Sequence, residues 1–254
     1  MSSPLKNRTI VRVAPAAAGE DVTEFLQGLV TNDVTLASKG KPVYAALLSP
    51  QGKMLFDFFV WPEGFEHGLG YLLDCEKRAA DELVKRLSLY RLRRKLDIAV
   101  DANRCVVWAP PGNEQEEGKG NDPRLPELGF RAVLNQPCHK EAVDEEYLAH
   151  RLSLGVPEGQ DEMADILWLE TNAGELNGVS FTKGCYVGQE NTARMNWRQK
   201  INRRLVVVPF QFSDPKRRKA LYRDLKLAVD HLRVDDIPRG VLPHWITDED
   251  KAST

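Results

Sequence analysis

The order of elements along the first hundred residues predicts an α+β fold built on a ferredoxin-like βαββαβ unit with one extra strand. Three observations carry this reading. Val22, Phe25, Leu26 and Leu29 fall at i, i+3, i+4 and i+7, one face of a helix. Two apolar or alternating runs, 43–48 and 53–60, flank Pro50-Gln51-Gly52 and read as a hairpin. The segment 76–90 repeats helical spacing at Ala80, Leu83, Leu87 and Tyr90, just before a strand at 96–100.

The remaining elements follow in order. Residues 10–13 alternate apolar and basic and form a first strand. In the second hairpin strand, alternation places Met54, Phe56, Phe58 and Val60 on one side. A short strand is expected at 69–73. Beyond residue 100, strands are expected at 105–109 and 130–134. They are separated by a Gly/Pro/Glu-rich stretch, 110–126, that has no apolar period and reads as a solvated, disorder-prone loop. A helix over 141–154 ends at Gly155 and Pro157. Strands at 205–212 and 227–234 flank Ser213-Asp214-Pro215, and the tail after Asp248 is polar. No internal repeat is present. The expected units are 8–100, 101–204 and 205–254.

Composition excludes several classes. The chain has 254 residues, 42% hydrophobic and 28% charged, with a net charge of −2. That balance supports a packed core and gives no global attraction to nucleic acid or anionic lipid. No apolar run approaches the roughly 20 residues of a membrane helix. The first residues lack the apolar core of a signal peptide, and Glu20 and Asp21 follow the first strand closely. The expectation is a cytoplasmic monomer that binds neither nucleic acid nor membrane.

There are four cysteines, Cys75, Cys105, Cys138 and Cys185, and no two lie within four residues of each other. A self-contained zinc or iron–sulfur site is therefore not expected. Without a secretion signal, disulfides are not expected either. Cys75, Cys105 and Cys138 read as small buried hydrophobes.

Chemistry concentrates between Glu175 and Arg194. Lys183 stands two residues from Cys185, Gly184 and Gly188 flank the Cys-Tyr pair, and Gln189-Glu190 follow. The glycines permit positive φ and close backbone approach. A neighbouring ammonium favours the thiolate, the form that binds metal or attacks electrophiles. The same residues also read as a tight turn around an inert cysteine, and both readings stand at this level. Arg194, Arg198, Lys200, Arg203 and Arg204 form either an anion-binding stretch or a solvated face. Arg91-Leu92-Arg93-Arg94-Lys95 has the same two readings.

The octapeptide Lys183-Gly184-Cys185-Tyr186-Val187-Gly188-Gln189-Glu190 resembles the K-G-C-(aromatic)-x-G-Q-E motif of the YgfZ-type family, relatives of the glycine cleavage T-protein. Further pieces resemble the same family in the same order: 25–33 in the first helix, Ser49-Pro50-Gln51-Gly52-Lys53 in the hairpin, 89–95 after the second helix, and 151–159 before Leu169-Glu170-Thr171-Asn172. The resemblance covers roughly residues 8–210. Asn177-Gly178-Val179-Ser180-Phe181-Thr182 is similar to the mitochondrial-type assembly branch.

The resemblance implies a T-protein-like ring of domains around a central folate site. It also implies a role in assembly or repair of four-iron, four-sulfur clusters beside A-type scaffold proteins. Cys185 matches the motif cysteine and becomes the expected functional thiol, one ligand of a cluster shared with a partner. Asp57, Glu170 and Asn172 are carried over as contacts to tetrahydrofolate or another folate. Lys183 and Arg194 are expected to face its glutamate carboxylates. Two departures bear on this. Phe56 replaces the first of a T-protein Asp pair, which weakens an aminomethyl-transfer reading. The chain after Arg204 is short, so the C-terminal β-barrel-like region is expected to be reduced. The leading expectation is a folate-binding assembly factor rather than an enzyme. A folate-dependent one-carbon transferase and a partner-docking module without folate are the alternatives.

Overall fold

A computed structural model describes residues 2–64, 70–112, 120–198 and 201–246. In chain order, β1 (Ser3–Pro4) and β2 (Arg8–Pro15) lead into α1 (Val22–Gln27). The Asp21 side chain caps α1 by accepting from the Glu24 amide at 3.0 Å. The hairpin strands are β3 (Val43–Leu48) and β4 (Met54–Pro62). They are followed by β5 (Tyr71–Glu76), α2 (Ala80–Arg91) and β6 (Leu96–Val100). These strands form one antiparallel sheet in the order β3-β4-β5-β2-β6. The run β4-β5-β2-β6 is the ferredoxin-like arrangement, and β3 is the extra strand at its edge. Leu69 lies outside the described residues, and the expected strand there is described from Tyr71.

Both helices pack on one face of this sheet. Phe25 and Leu26 of α1 and Leu83 and Leu87 of α2 bury against Val11, Phe58, Val60 and Leu73. Each such side chain, fully buried, stabilises by about 2 kcal/mol. The opposite face also packs, which is why β3 reads as the unbroken apolar run VYAALL. One expectation fails here. A bulge pairs Leu47 with Phe56 and Leu48 with Met54, skipping Leu55. Met54 therefore joins Phe59 and Trp61 on the opposite face, away from Phe56, Phe58 and Val60.

A second sheet has the order β1-β7-β9-β8, where β7 is Cys105–Ala109, β8 Gly120–Asn121 and β9 Phe130–Leu134. Ser3 and Pro4 thus leave the first sheet and pair with Trp108 and Val107. Residues 113–119 of the expected loop lie outside the described residues. Helix α3 runs Asp144–Ser153, shorter than expected because Val143 is held by a bond to the Pro4 carbonyl at 3.1 Å. A short helix, α4 (Gln160–Met163), and a one-turn segment, Trp168–Thr171, precede α5 (Gln189–Arg198). The third sheet is β10-β12-β11, from Arg203–Pro209, Leu227–Arg233 and Arg218–Tyr222. Among the described residues it is an open antiparallel sheet in which the β11–β12 hairpin lies beside β10 through β12, with no closed barrel. The expected strand 205–212 stops at Pro209, which has no N–H to continue a ladder. Strand β11 was not expected, because Arg218-Lys219-Ala220-Leu221-Tyr222 carries little β pattern.

All three sheets share one core. It joins Ile10, Phe59 and Trp61 of the first sheet, Val106 and Trp108 of the second, and Leu205, Val207 and Val229 of the third. The expectation of unpaired cysteines also needs correcting. Cys105 and Cys138 form a disulfide with Cα atoms 5.2 Å apart, fastening the segment after β9 to β7. Cys75 is buried and free, as expected, and Cys185 is exposed and free. Denatured without reductant, the chain is expected to titrate two thiols of its four cysteines. Titration of all four would contradict the pairing.

Candidate functional site

The octapeptide forms a loop held at both ends. At its entry, the Ser180 amide donates to the Thr31 carbonyl at 3.0 Å, and the Thr31 hydroxyl donates to the Gly178 carbonyl at 2.7 Å. Asn32 Nδ2 donates to the carbonyls of Tyr44 and Asn177 at 2.8 and 2.7 Å. Lys183 Nζ donates to the carbonyls of Val30 and Asn32 at 2.7 and 3.0 Å and lies 5.2 Å from the Tyr186 ring centre. Its ammonium thus closes the loop entry rather than facing Cys185. Burial pushes the Lys183 ammonium down to about 8, against the opposing pull of Asp33.

At its exit, the loop packs on the hairpin turn. Gly188 has φ +83°, and a Cβ there would lie 2.5 Å from the Ser49 carbonyl oxygen and 3.1 Å from Gly52 Cα. Gly52, at φ +79°, faces it in the same way. Asn191 Nδ2 donates to the Gln51 carbonyl at 2.6 Å. The two glycine-bearing motifs, far apart in sequence, are therefore one contact in which neither backbone leaves room for a side chain. Gly184 differs: its φ is not positive, and a Cβ there would meet nothing within 4 Å. Tyr186 is buried between the two anchors. Cys185 is left exposed at the apex, in an open recess with Pro50, Val187, Gln189 and Ala193. Gln189 and Glu190 begin α5, a helix the sequence reading missed by treating them as the end of a loop.

The expected folate contacts are each paired with other side chains or backbone of the chain. Asp57 is 3% exposed, and its Oδ2 accepts from the Tyr44 hydroxyl at 3.2 Å. Burial raises its carboxyl to about 6, against the pull of Arg8 and Arg124. Glu170 lies 2.9 Å from His231 Nε2. Asn172 is fully buried in the left-handed conformation. Its Nδ2 donates to the Leu205 carbonyl at 2.8 Å and its Oδ1 accepts from Arg204 at 3.0 Å. Arg194 pairs with Glu190 one helical turn away, at 2.7 Å. Each of these side chains is committed within the chain. A cavity of about 230 Å³ between the sheets is lined instead by Arg8, Tyr147, Arg151, Glu158 and Tyr222, with none of the expected contacts. No step is derived through a folate. Lys200 lies outside the described residues.

The sequence reading also missed a buried ionic cluster beside Asp57. Arg8 Nε donates to Asp74 at 2.7 Å, and Arg131 donates to the other Asp74 oxygen at 3.0 Å. Arg124 grips Asp122 with two bonds, at 2.9 and 2.8 Å. The Tyr147 hydroxyl accepts from Arg124 and Arg131 at 2.8 and 2.7 Å and donates to Glu158 at 2.6 Å. Burial would raise the Glu158 carboxyl, but Arg124, Arg8, Arg131 and Arg151 hold it well below the usual range. The available signal was charge set among apolar neighbours in or beside the expected strands: Asp74 between Leu73 and Cys75, and Arg131 between Phe130 and Ala132.

Comparison with known proteins gives a consistent set of relatives. An iron–sulfur cluster assembly factor IBA57 homolog, mitochondrial, of Coccidioides immitis is 34% identical over 247 residues, covering 82% of this chain and 58% of that protein. The IBA57 homolog of Mycosarcoma maydis is 36% identical over 230 residues, covering 80% and 56%. The Homo sapiens IBA57 protein is 34% identical over 242 residues, covering 83% and 66%. The chain thus spans somewhat over half the length of the first two and just under two thirds of the human protein. No family model matches the chain. Among solved structures, the glycine cleavage aminomethyltransferase T of Bartonella henselae superposes with a TM-score of 0.65 at 11% identity, over 92% of this chain and 78% of that one. At that identity the likeness is one of fold. The relatives' names overturn the cytoplasmic expectation and point to the mitochondrion. The first residues of a chain shorter than its relatives say nothing about a leader.

Two outcomes follow from this geometry. Gly188→Ala is expected to destabilise by about 2 kcal/mol or more, through its positive φ and the Ser49 carbonyl, while Gly184→Ala stays near neutral. Urea unfolding of both variants checks the contrast. Asp57 binds its proton more tightly folded than unfolded, so its contribution to stability falls as pH rises from about 4 to about 6. Asp57→Asn is therefore expected to be more stable than wild type at neutral pH, by about 3 kcal/mol, with the gap closing below pH of about 4. Thermal melts across that range measure it.

Proposed function

From the premise that the chain belongs to the family of IBA57-type iron–sulfur cluster assembly factors, on the T-protein fold, we propose that it acts in cluster assembly by presenting the Cys185 thiol to a cluster-carrying partner protein. The observation that carries the reading is the loop pinned at both ends with its cysteine exposed at the apex. A rigid anchor of this kind fixes where the thiol stands without covering it. The cluster is cargo rather than a resident cofactor. Among the described residues, no group of three His, Cys, Asp or Glu side chains is placed to hold a metal ion. One thiolate supplies one ligand where a cluster takes four, so the remaining ligands come from the partner. An A-type scaffold protein with its own thiolates has the matching chemistry, and maturation of four-iron, four-sulfur enzymes is the process served.

Folate is not part of this reading, because Asp57, Glu170 and Asn172 are engaged elsewhere. The thiol is the group on which the function turns. In cells lacking their own copy, Cys185→Ser is expected to fold normally and to leave four-iron, four-sulfur enzyme activities as low as in the deletion. Full restoration of those activities by the variant would sink the assignment.

A further inference from the structure

The Arg91-Leu92-Arg93-Arg94-Lys95 run, which the proposed function does not use, forms the turn between α2 and β6. Leu92 ends the helix with φ 52° and ψ −112°, a conformation that suits glycine and strains a residue with a side chain. Its side chain is 86% exposed, and that of Leu89, one turn earlier, 70% exposed. Two leucines held in water at a strained turn lower the stability of the chain and gain it no internal contact. Such an outlier points to use outside the fold.

The surroundings of the turn indicate what uses it. Lys85 and Arg86 precede Leu89 by four and three residues and share its helix face. Arg93 and Lys95 are exposed beyond it. Arg91 donates to the Leu96 carbonyl at 3.0 Å, and Arg94 donates to the Asp21 carbonyl at 3.2 Å and pairs with Glu24 at 2.6 Å. Those two arginines hold the turn in shape and leave the other cations to face outward.

We propose that this turn is a peripheral membrane-docking site. Leu89 and Leu92 enter the headgroup–acyl boundary of an anionic phospholipid bilayer, while Lys85, Arg86, Arg93 and Lys95 lie against its phosphates. Charge complementarity favours lipid as the occupant: the projecting leucines are flanked by cations, the arrangement of an interfacial anchor. The net charge of −2 makes the attraction local to this turn. Glu20 accepts from the Lys95 amide at 2.8 Å and Glu24 is taken up by Arg94, so the acids at the turn itself are engaged, and the exposed Asp81 and Glu82 lie two turns back along α2. None of the described helices is long and apolar enough to cross a membrane, so the association is at the surface and reversible.

Flotation of the full chain with vesicles tests the site, using phosphatidylcholine alone and an equal mixture with phosphatidylglycerol. The wild type is expected to float only with the anionic vesicles and to be released by added salt. Leu92→Gly is expected to partition about tenfold more weakly. Its thermal midpoint should rise as the strain is relieved, which separates loss of binding from loss of folding. Arg93→Glu is expected to lose about tenfold or more by reversing one charge. Failure of the wild type to float with anionic vesicles, or equal flotation of wild type and both variants, overturns the proposal.

Discussion

The buried guanidinium–carboxylate cluster is the constraint on which the rest of the molecule depends. It sits where the inner face of the five-stranded sheet meets the second sheet and α3. Strand alternation places Arg8, Asp57 and Asp74 on that inner face beside Ile10, Phe59 and Leu72. The second sheet answers with Arg131, and the segment leading to it with Asp122 and Arg124. Three guanidinium carbons lie 5.5, 4.8 and 4.1 Å from the centre of the Phe59 ring. Charges in such a place are tolerable only in near-complete partnership, since an uncompensated buried ion costs several kcal/mol. Two guanidinium gaps remain: Arg131 Nε, 3.6 Å from an Asp122 oxygen, and Arg151 Nε have no hydrogen-bond partner. The cluster fixes the relative placement of two sheets that apolar contact alone would allow to slide.

That fixed frame has a consequence for chemistry. A T-protein-like scaffold suggests a ligand between its units. Here the inner face carries paired ions, and Asp57, one of the carried-over folate contacts, is buried beside them. The octapeptide loop lies at the edge, spanning from Thr31–Asn32 to Ser49–Gly52. Both anchors belong to the first sheet's own connections, so the loop inherits the rigidity of the frame. The loop leaves the Cys185 thiol free and exposed.

Much of this was legible in the chain. The helical spacing of Phe25, Leu26, Leu83 and Leu87 and the turn at Pro50-Gln51-Gly52 gave the ferredoxin-like unit, because apolar periodicity reflects one-sided burial directly. The strands 96–100, 105–109 and 130–134 matched residue for residue. What was not legible depended on contacts across the sequence. The role of Lys183 is set by two carbonyls some 150 residues earlier, and no local rule reveals them. The Cys105–Cys138 pairing rests on a spatial approach that a 33-residue separation conceals. The bulge that turns Met54 away from Phe56 is invisible to simple alternation. The buried arginines drew no reading because the sequence does not say which of two strand faces is covered.

The central claim is that Cys185 shares a cluster with a partner. It is tested most directly by anaerobic titration of a cluster-loaded A-type scaffold protein into this chain, before and after alkylation of Cys185, followed by visible circular dichroism and size exclusion. The account predicts an equimolar complex that retains the cluster with an altered spectrum when the thiol is free, and no such complex once it is alkylated. An unchanged complex after alkylation, or a cluster held by this chain alone, would contradict it.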